Sequence, residues 1–229
     1  MIVKKYKAIL KNIEHPIEGI YTLTFSSENG KFKYNPGQFL HLALDTDYDG
    51  IGQWPESRCF SIQTSPGQDD IKITYAVKGK FTRQMQKSLR TGDKIWLKLP
   101  YGDLFTRPHD KNHTVFISGG TGITPFLSLF TDASFAQYTH PVLYTGFKSE
   151  TFNIYEEELQ KALQINPAIK IQRTYENMDG MLNIRDIFNE NGQHATYYIS
   201  GPPMMIKTFK NYLSESGVVA DNILTDDWE

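Results

Sequence analysis

The sequence predicts two domains, an antiparallel β-barrel followed by an α/β domain built on a parallel sheet. Over the first hundred residues, short runs rich in β-branched and aromatic residues follow one another, with Gly, Pro, Asn, Asp or Ser in the gaps. After about residue 110 the rhythm changes, and apolar strand-like runs alternate with helical patterns. At 229 residues the chain is long for one average domain and sufficient for two, each with its own core.

In the first part the strands are expected in "YKAILKNI", "GIYTLTF", "QFLHLAL", "RCFSIQT", "IKITYAV" and "KIWLKL". Six strands at this spacing suit a small antiparallel barrel or sandwich. One helix interrupts them, because Phe81, Met85 and Leu89 recur four residues apart and Gly92 follows. The second part places strands at "TVFIS", "PVLYTGF", "AIKIQRTY" and "TYYIS". Phe152, Tyr155, Leu159, Ala162 and Leu163 share one helical face, as do Met205, Phe209, Tyr212 and Leu213. The boundary is expected in the polar, proline-containing segment 106–112, giving domains 1–108 and 109–229.

Composition narrows the chemistry. A net charge of −2, with 39% hydrophobic and 22% charged residues, offers no broad electrostatic case for nucleic acid or an anionic membrane. Lys4, Lys5 and Lys7 break up the first ten residues and no long apolar run follows, so neither signal peptide nor membrane span is expected and the protein is read as cytoplasmic. A single cysteine, Cys59, excludes an internal disulfide, a Cys-rich zinc site and a four-cysteine iron–sulfur cluster within this chain. His15, His41, His109, His113, His140 and His194 are scattered, with no His-Glu-x-x-His, and no metal site is expected. Redox chemistry would have to come from an organic cofactor.

The stretch "ISGGTGITP" carries three glycines in four positions, entered from an apolar strand and leaving into a helix that starts near Thr124 or Pro125. Glycine inside an element costs about 0.5–1 kcal/mol relative to alanine, so the cluster marks either a special turn or a close approach to a ligand. A glycine turn feeding a helix start presents backbone N–H groups and the positive end of the dipole, which favours phosphate. Glycines that serve only to pack a strand–helix turn remain the alternative.

Six segments, "PGQF" at 36–39, "RCFS" at 58–61, "VKGKFT" at 77–82, "LPYGDLF" at 99–105, "GGTGITP" at 119–125 and "SGPPMM" at 200–205, occur in the order and approximate spacing of the ferredoxin–NADP reductase family of flavoproteins, which the chain resembles from Pro36 to Met205. The resemblance implies an FAD-binding β-barrel over 1–108 and a Rossmann-like NAD(P)-binding domain over 109–229. It assigns Arg58 to the flavin pyrophosphate, Phe60 (tyrosine is commoner in the family) to the isoalloxazine, and Ser61 to a hydrogen bond near flavin N5, with Cys59 between them. It assigns main-chain contacts with the ring to the segment from Ile73 through Tyr75 to Ala76. Gly79, Lys80, Phe81 and Thr82 would open the lone barrel helix toward the pyrophosphate. A solvent-exposed arginine on an edge strand and a plain helix cap at Thr82 are the structural alternatives.

The same resemblance places the nicotinamide nucleotide at Gly119, Gly120, Thr121 and Gly122 and at Gly201, Pro202 and Met204. Ser200 stands where relatives commonly carry a cysteine beside the carbon that gives up hydride. Trp228 is a candidate to cover the exposed flavin face, with Asp226 or Asp227 as a proton relay. Hydride would pass from NADH or NADPH to flavin N5 at the domain interface, with Ser61 and Ser200 as the catalytic side chains. Electrons would leave for a separate acceptor such as a ferredoxin, a flavodoxin or an oxygenase component. NADP-specific relatives often place Ser-Arg after the third strand of this domain; if Thr174-Tyr175 fills that site NADH is favoured, whereas a shift of one residue brings Arg173 into play. A non-catalytic flavin-binding subunit that only passes electrons or senses redox state is the competing reading.

Overall fold

The computed structural model describes residues 2–45 and 47–226 and divides the chain into two units, Met1–Asp103 and Leu104–Glu229. The division falls ahead of the polar segment 106–112, because Leu104 is buried in the second unit's core and the Phe105 ring lies 4.9 Å from Tyr198. Hydrophobic anchoring, and not chain polarity, sets this boundary.

The first unit consists of β1 (Lys4–Ile17), β2 (Ile20–Ser27), β3 (Phe39–Ala43), β4 (Ser57–Ser61), β5 (Asp70–Ala76), α1 (Lys80–Ser88) and β6 (Lys94–Tyr101). Its strands form one antiparallel sheet in the order β4-β3-β6-β1-β2-β5. The long β1 serves two neighbours, pairing with β6 over Lys4–Ile9 and with β2 from Ala8 onward. Irregularities between Leu10 and Asn12 and between Glu14 and Ile17 break its register, as bulges do where a sheet must curl. The sheet closes toward a barrel where Gln63 N, just beyond β4, donates to Lys72 O of β5 at 2.9 Å. Alternate residues of β1, Tyr6, Ala8 and Leu10, point inward with Leu23, Phe25, Leu40, Leu42 and Ile73. Helix α1 buries Phe81 and Met85 against this core, each contributing about 1.5–3 kcal/mol by area burial.

The second unit runs β7 (His113–Gly119), a 3₁₀ turn (Gly120–Ile123), α2 (Thr124–Phe130), β8 (His140–Phe147), α3 (Glu156–Ile165), β9 (Lys170–Tyr175), α4 (Glu176–Asp179), α5 (Ile184–Asn191), β10 (Thr196–Ser200), α6 (Pro203–Glu215) and β11 (Ile223–Thr225). All ladders are parallel, in the order β11-β10-β7-β8-β9. Numbered within this unit, that order is 5-4-1-2-3, the doubly wound arrangement that reverses direction between its first and fourth strands. One apolar layer, around Phe116, Phe126 and Phe130, covers one face; another, around Ile117, Ile187, Ile199 and Leu213, covers the other. Helix α5 and strand β11 are not foreseen from the sequence pattern; α5 buries only Ile184 and Ile187 and so shows too little periodicity. Among the described residues no helix is long and apolar enough to cross a membrane.

Candidate functional site

In the first unit, chain ends of the sheet bring distant motifs together. Arg58, Cys59, Phe60 and Ser61 lie on β4, one terminal strand, and Ile73, Tyr75 and Ala76 on β5, the other. Closure at Gln63–Lys72 sets the Phe60 ring edge-on to Tyr75, centroids 5.9 Å apart. Ile73 is fully buried, main chain included, and pairs with Leu23 of β2. Across the same region the Arg58 guanidinium sits over the Phe81 ring at 5.2 Å, so the arginine of β4 stands beside the first turn of α1.

That turn caps itself. Gly79 is the N-cap in an extended conformation, and the Thr82 hydroxyl accepts from Lys78 N at 3.0 Å and Gly79 N at 3.1 Å while donating to Gly79 O. The hydroxyl read from sequence as a phosphate contact is therefore engaged in its own cap. The amides of Lys80, Phe81 and Thr82 precede the first intrahelical bond, from Arg83 N to Gly79 O, and are the donors this turn offers. Arg58 holds Glu56 Oε1 at 3.1 Å and Ser57 O at 2.8 Å, both at the surface. An exposed pair of this kind is worth about 0–1 kcal/mol and is readily exchanged for phosphate oxygens.

Cys59 does not form a reactive dyad. Its sulfur lies 3.4 Å from His41 Nε2, but burial pushes the thiol upward against the opposing pull of Arg58. Burial first, and then Lys98, hold His41 below its ordinary 6.5. A neutral thiol facing a neutral imidazole is poorly placed for nucleophilic chemistry. A second signal lies nearby: the spacing from Asp45 through Asp47, Asp49 and Gly50 to Glu56 is that of a calcium loop. Here Lys5 Nζ donates to Gly50 O at 3.1 Å and to the Tyr48 hydroxyl, and Glu56 faces Arg58. Among the described residues no three acidic, His or Cys side chains converge on a metal position, and the segment is a lysine-clamped turn.

The second unit answers the question raised by the three glycines. β7 ends at Gly119 and β10 at Ser200, in adjacent strands with Ser118 opposite Ser200, so the turns that follow them meet at the reversal point of the sheet. A side chain on Gly122 would stand 2.5 Å from Gly201 Cα and 2.6 Å from Ser200 O, both backbone atoms that cannot yield. One on Gly119 would reach Pro202 Cδ at 2.9 Å. These two glycines permit backbone-to-backbone packing of the turns. Gly120 is different: its φ is +55° and a side chain there would meet nothing within 4 Å, so it supplies the left-handed bend on an open side. The chain continues through the 3₁₀ turn into α2, with Pro125 in the first helical turn. The cluster thus serves packing at Gly119 and Gly122 and a left-handed bend beside open space at Gly120.

Around these turns Ser200 is buried and its Oγ donates to Asp226 Oδ2 at 3.2 Å. Pro202 and Met204 are exposed, and Thr121 is half-buried. Asp227 and Trp228 lie outside the described residues. Sequence reasoning missed Leu182, whose side chain packs where a Gly146 Cβ would be, 3.0 Å away at the end of β8. The glycine inside "PVLYTGF" was the available signal. At the end of β9, Arg173 Nη2 bonds both oxygens of Glu156, at 3.1 and 3.0 Å, and Asp179 accepts from Tyr175 N. The hydrogen bond from Gln160 first, and then the charge and hydrogen bond of Arg173, hold the Glu156 carboxyl below its usual range.

Residues 116–211 match the family model described as oxidoreductase NAD-binding domain. Over 87% of its length the chain is 28% identical to the reductase component of propane 2-monooxygenase from Mycolicibacterium smegmatis, and spans 60% of that relative. The fold matches a cytochrome P450 reductase from Amycolatopsis with a TM-score of 0.82 and 15% identity, covering 98% of this chain and 70% of that one. It matches the ferredoxin–NADP+ reductase of Plasmodium falciparum with a TM-score of 0.76 and 18% identity, covering 98% and 97%. The two-unit fold is that of ferredoxin–NADP reductase-like proteins. The barrel-like unit and the doubly wound unit each carry one of the two motif clusters described above. The chain spans less than two thirds of the curated relatives it matches along most of its length.

Proposed function

We propose that the chain is an FAD-dependent NAD(P)H oxidoreductase that passes electrons to a separate one-electron acceptor, such as a ferredoxin, a flavodoxin or an oxygenase component. The observation that carries this reading is Arg58 standing over Phe81 at the first turn of α1, which joins two motifs more than twenty residues apart into one anion-binding corner. An FAD pyrophosphate fits that corner, since a guanidinium fork and three helix-start amides complement its oxygens. The Phe60 and Tyr75 rings supply an aromatic wall for the flavin ring. When bound, the flavin accepts a hydride and releases electrons singly.

In this reading the turns at Gly119–Gly122 and Gly201–Met204 bind the dinucleotide, the open side of Gly120 admitting its pyrophosphate. Ser200, tied to Asp226, orients the nicotinamide, and Ser61 tunes the flavin edge. We further propose a preference for NADH. Arg173 is spent on Glu156, and Asp179 and Glu176 add negative charge at the end of β9, all unfavourable for a 2′-phosphate. The names of relatives as oxygenase reductase components support a protein acceptor.

The test is an anaerobic titration of the purified yellow protein with NADH and with NADPH. Bleaching of the flavin absorbance by NADH ahead of NADPH is the expected result. A colourless protein that does not take up FAD, or a yellow one that neither nucleotide bleaches, would reject the enzymatic reading.

A further inference from the structure

The two glycine turns of the second unit share a third participant that the nucleotide reading does not use. Met205 leaves the first turn of α6 and lays its thioether across the bare backbone of both. A side chain on Gly119 would stand 3.0 Å from Met205 Sδ and 3.4 Å from its Cε, and one on Gly201 would stand 2.7 Å from the same Cε. The terminal S–CH₃ of Met205 therefore occupies the space the two glycines leave open. Gly201 and Gly122 touch backbone to backbone in the same seam, so a displacement of the thioether is carried into the turn that contains Gly120. Met205 packs against the Ile117–Ile199 core and is partly buried.

We propose that Met205 is an oxidisable latch: conversion of its thioether to the sulfoxide loosens the Gly119–Gly122 and Gly201 turns and weakens dinucleotide binding. The last clause rests on the function proposed above. The oxidant is a peroxide. A sulfur–oxygen bond forms as the peroxide O–O bond breaks, the sulfur gives up two electrons, and hydrogen peroxide leaves one molecule of water. The product is bulkier, chiral and polar where an apolar methyl-thioether lies against bare backbone. Met85, buried in the core of the other unit, is shielded from the same reaction. Met178 and Met181 are exposed and act as competing sinks.

Full-length protein is treated with hydrogen peroxide, Met205 sulfoxide is quantified by peptide mass spectrometry, and two quantities are read. They are hydrogen exchange at amides 119–122 and 200–201, and affinity for NADH and NADPH. Expected on Met205 oxidation are faster exchange at both turns and binding about tenfold weaker. Met205→Leu abolishes both responses, Met205→Gln reproduces them without peroxide, and Met178→Leu/Met181→Leu leaves the responses in place. Unchanged exchange with Met205 oxidised, or a response that persists in Met205→Leu, overturns the latch. Untreated protein that binds neither nucleotide overturns the nucleotide reading, while the exchange measurement still decides the latch.

Discussion

Gly120 and Gly122 are two residues apart and fail in different ways when replaced. Gly122→Ala drives a methyl group to 2.5–2.6 Å from main-chain atoms of Gly201 and Ser200, so the turns must separate. A loss of about 1–3 kcal/mol in unfolding free energy, together with loss of nucleotide binding, is expected from urea denaturation and a binding titration. Gly120→Ala meets no atom but holds a left-handed φ of +55°, at a cost of about 1–2 kcal/mol. The larger Gly120→Val should leave the protein yellow and abolish bleaching, whereas Arg58→Ala should release FAD; reversed phenotypes would assign the cofactors to the wrong units. Glu156→Gln frees the Arg173 fork, and the ratio of kcat/KM for NADPH to that for NADH should rise about tenfold, a shift of 1.4 kcal/mol.

Among the elements, α1 is the one whose local chemistry and proposed role coincide. Phe81, Met85 and Leu89 are all buried, as their spacing of four predicts, and the opposite face is polar. Thr82 accepts from two main-chain amides that open the helix. Thr82→Val keeps the shape and removes the acceptor, so a loss of about 1 kcal/mol is expected by thermal or urea unfolding, with weaker FAD retention as the first turn frays. Thr82→Ser should restore both. The elements that sequence reasoning missed are short or featureless: α5 shows only two buried aliphatics, and β11 is three residues that become a strand because β10 offers a free edge. Their stability comes from the surface they cover, which periodicity does not record.

For the whole molecule, each unit half-buries a histidine held below its ordinary value of 6.5. Burial is the main cause for both His41 and His109; Lys98 adds to it for the first, while the Arg107 carbonyl opposes it for the second. A depressed folded value means the unfolded chain binds the proton more readily, so this stabilisation is present above about pH 6.5 and is lost as pH falls through the folded values. Urea midpoints should therefore drop between pH 7 and 5, and His41→Phe should flatten that dependence for the first unit. Unchanged midpoints would show that the imidazoles stay hydrated.

The strands, the barrel helix, the change of rhythm near residue 110 and the order of the glycine motifs were legible in the chain, because periodicity and turn chemistry are local. The alternatives left open there concerned contacts between distant segments. Whether Arg58 meets the start of α1, whether Gly122 packs or faces a ligand, and whether Arg173 is available to a phosphate depend on which strands are neighbours. Local patterning determined the kind of each element; strand order and closure, driven by burial of cores that no single segment possesses, determined which residues became one another's surroundings.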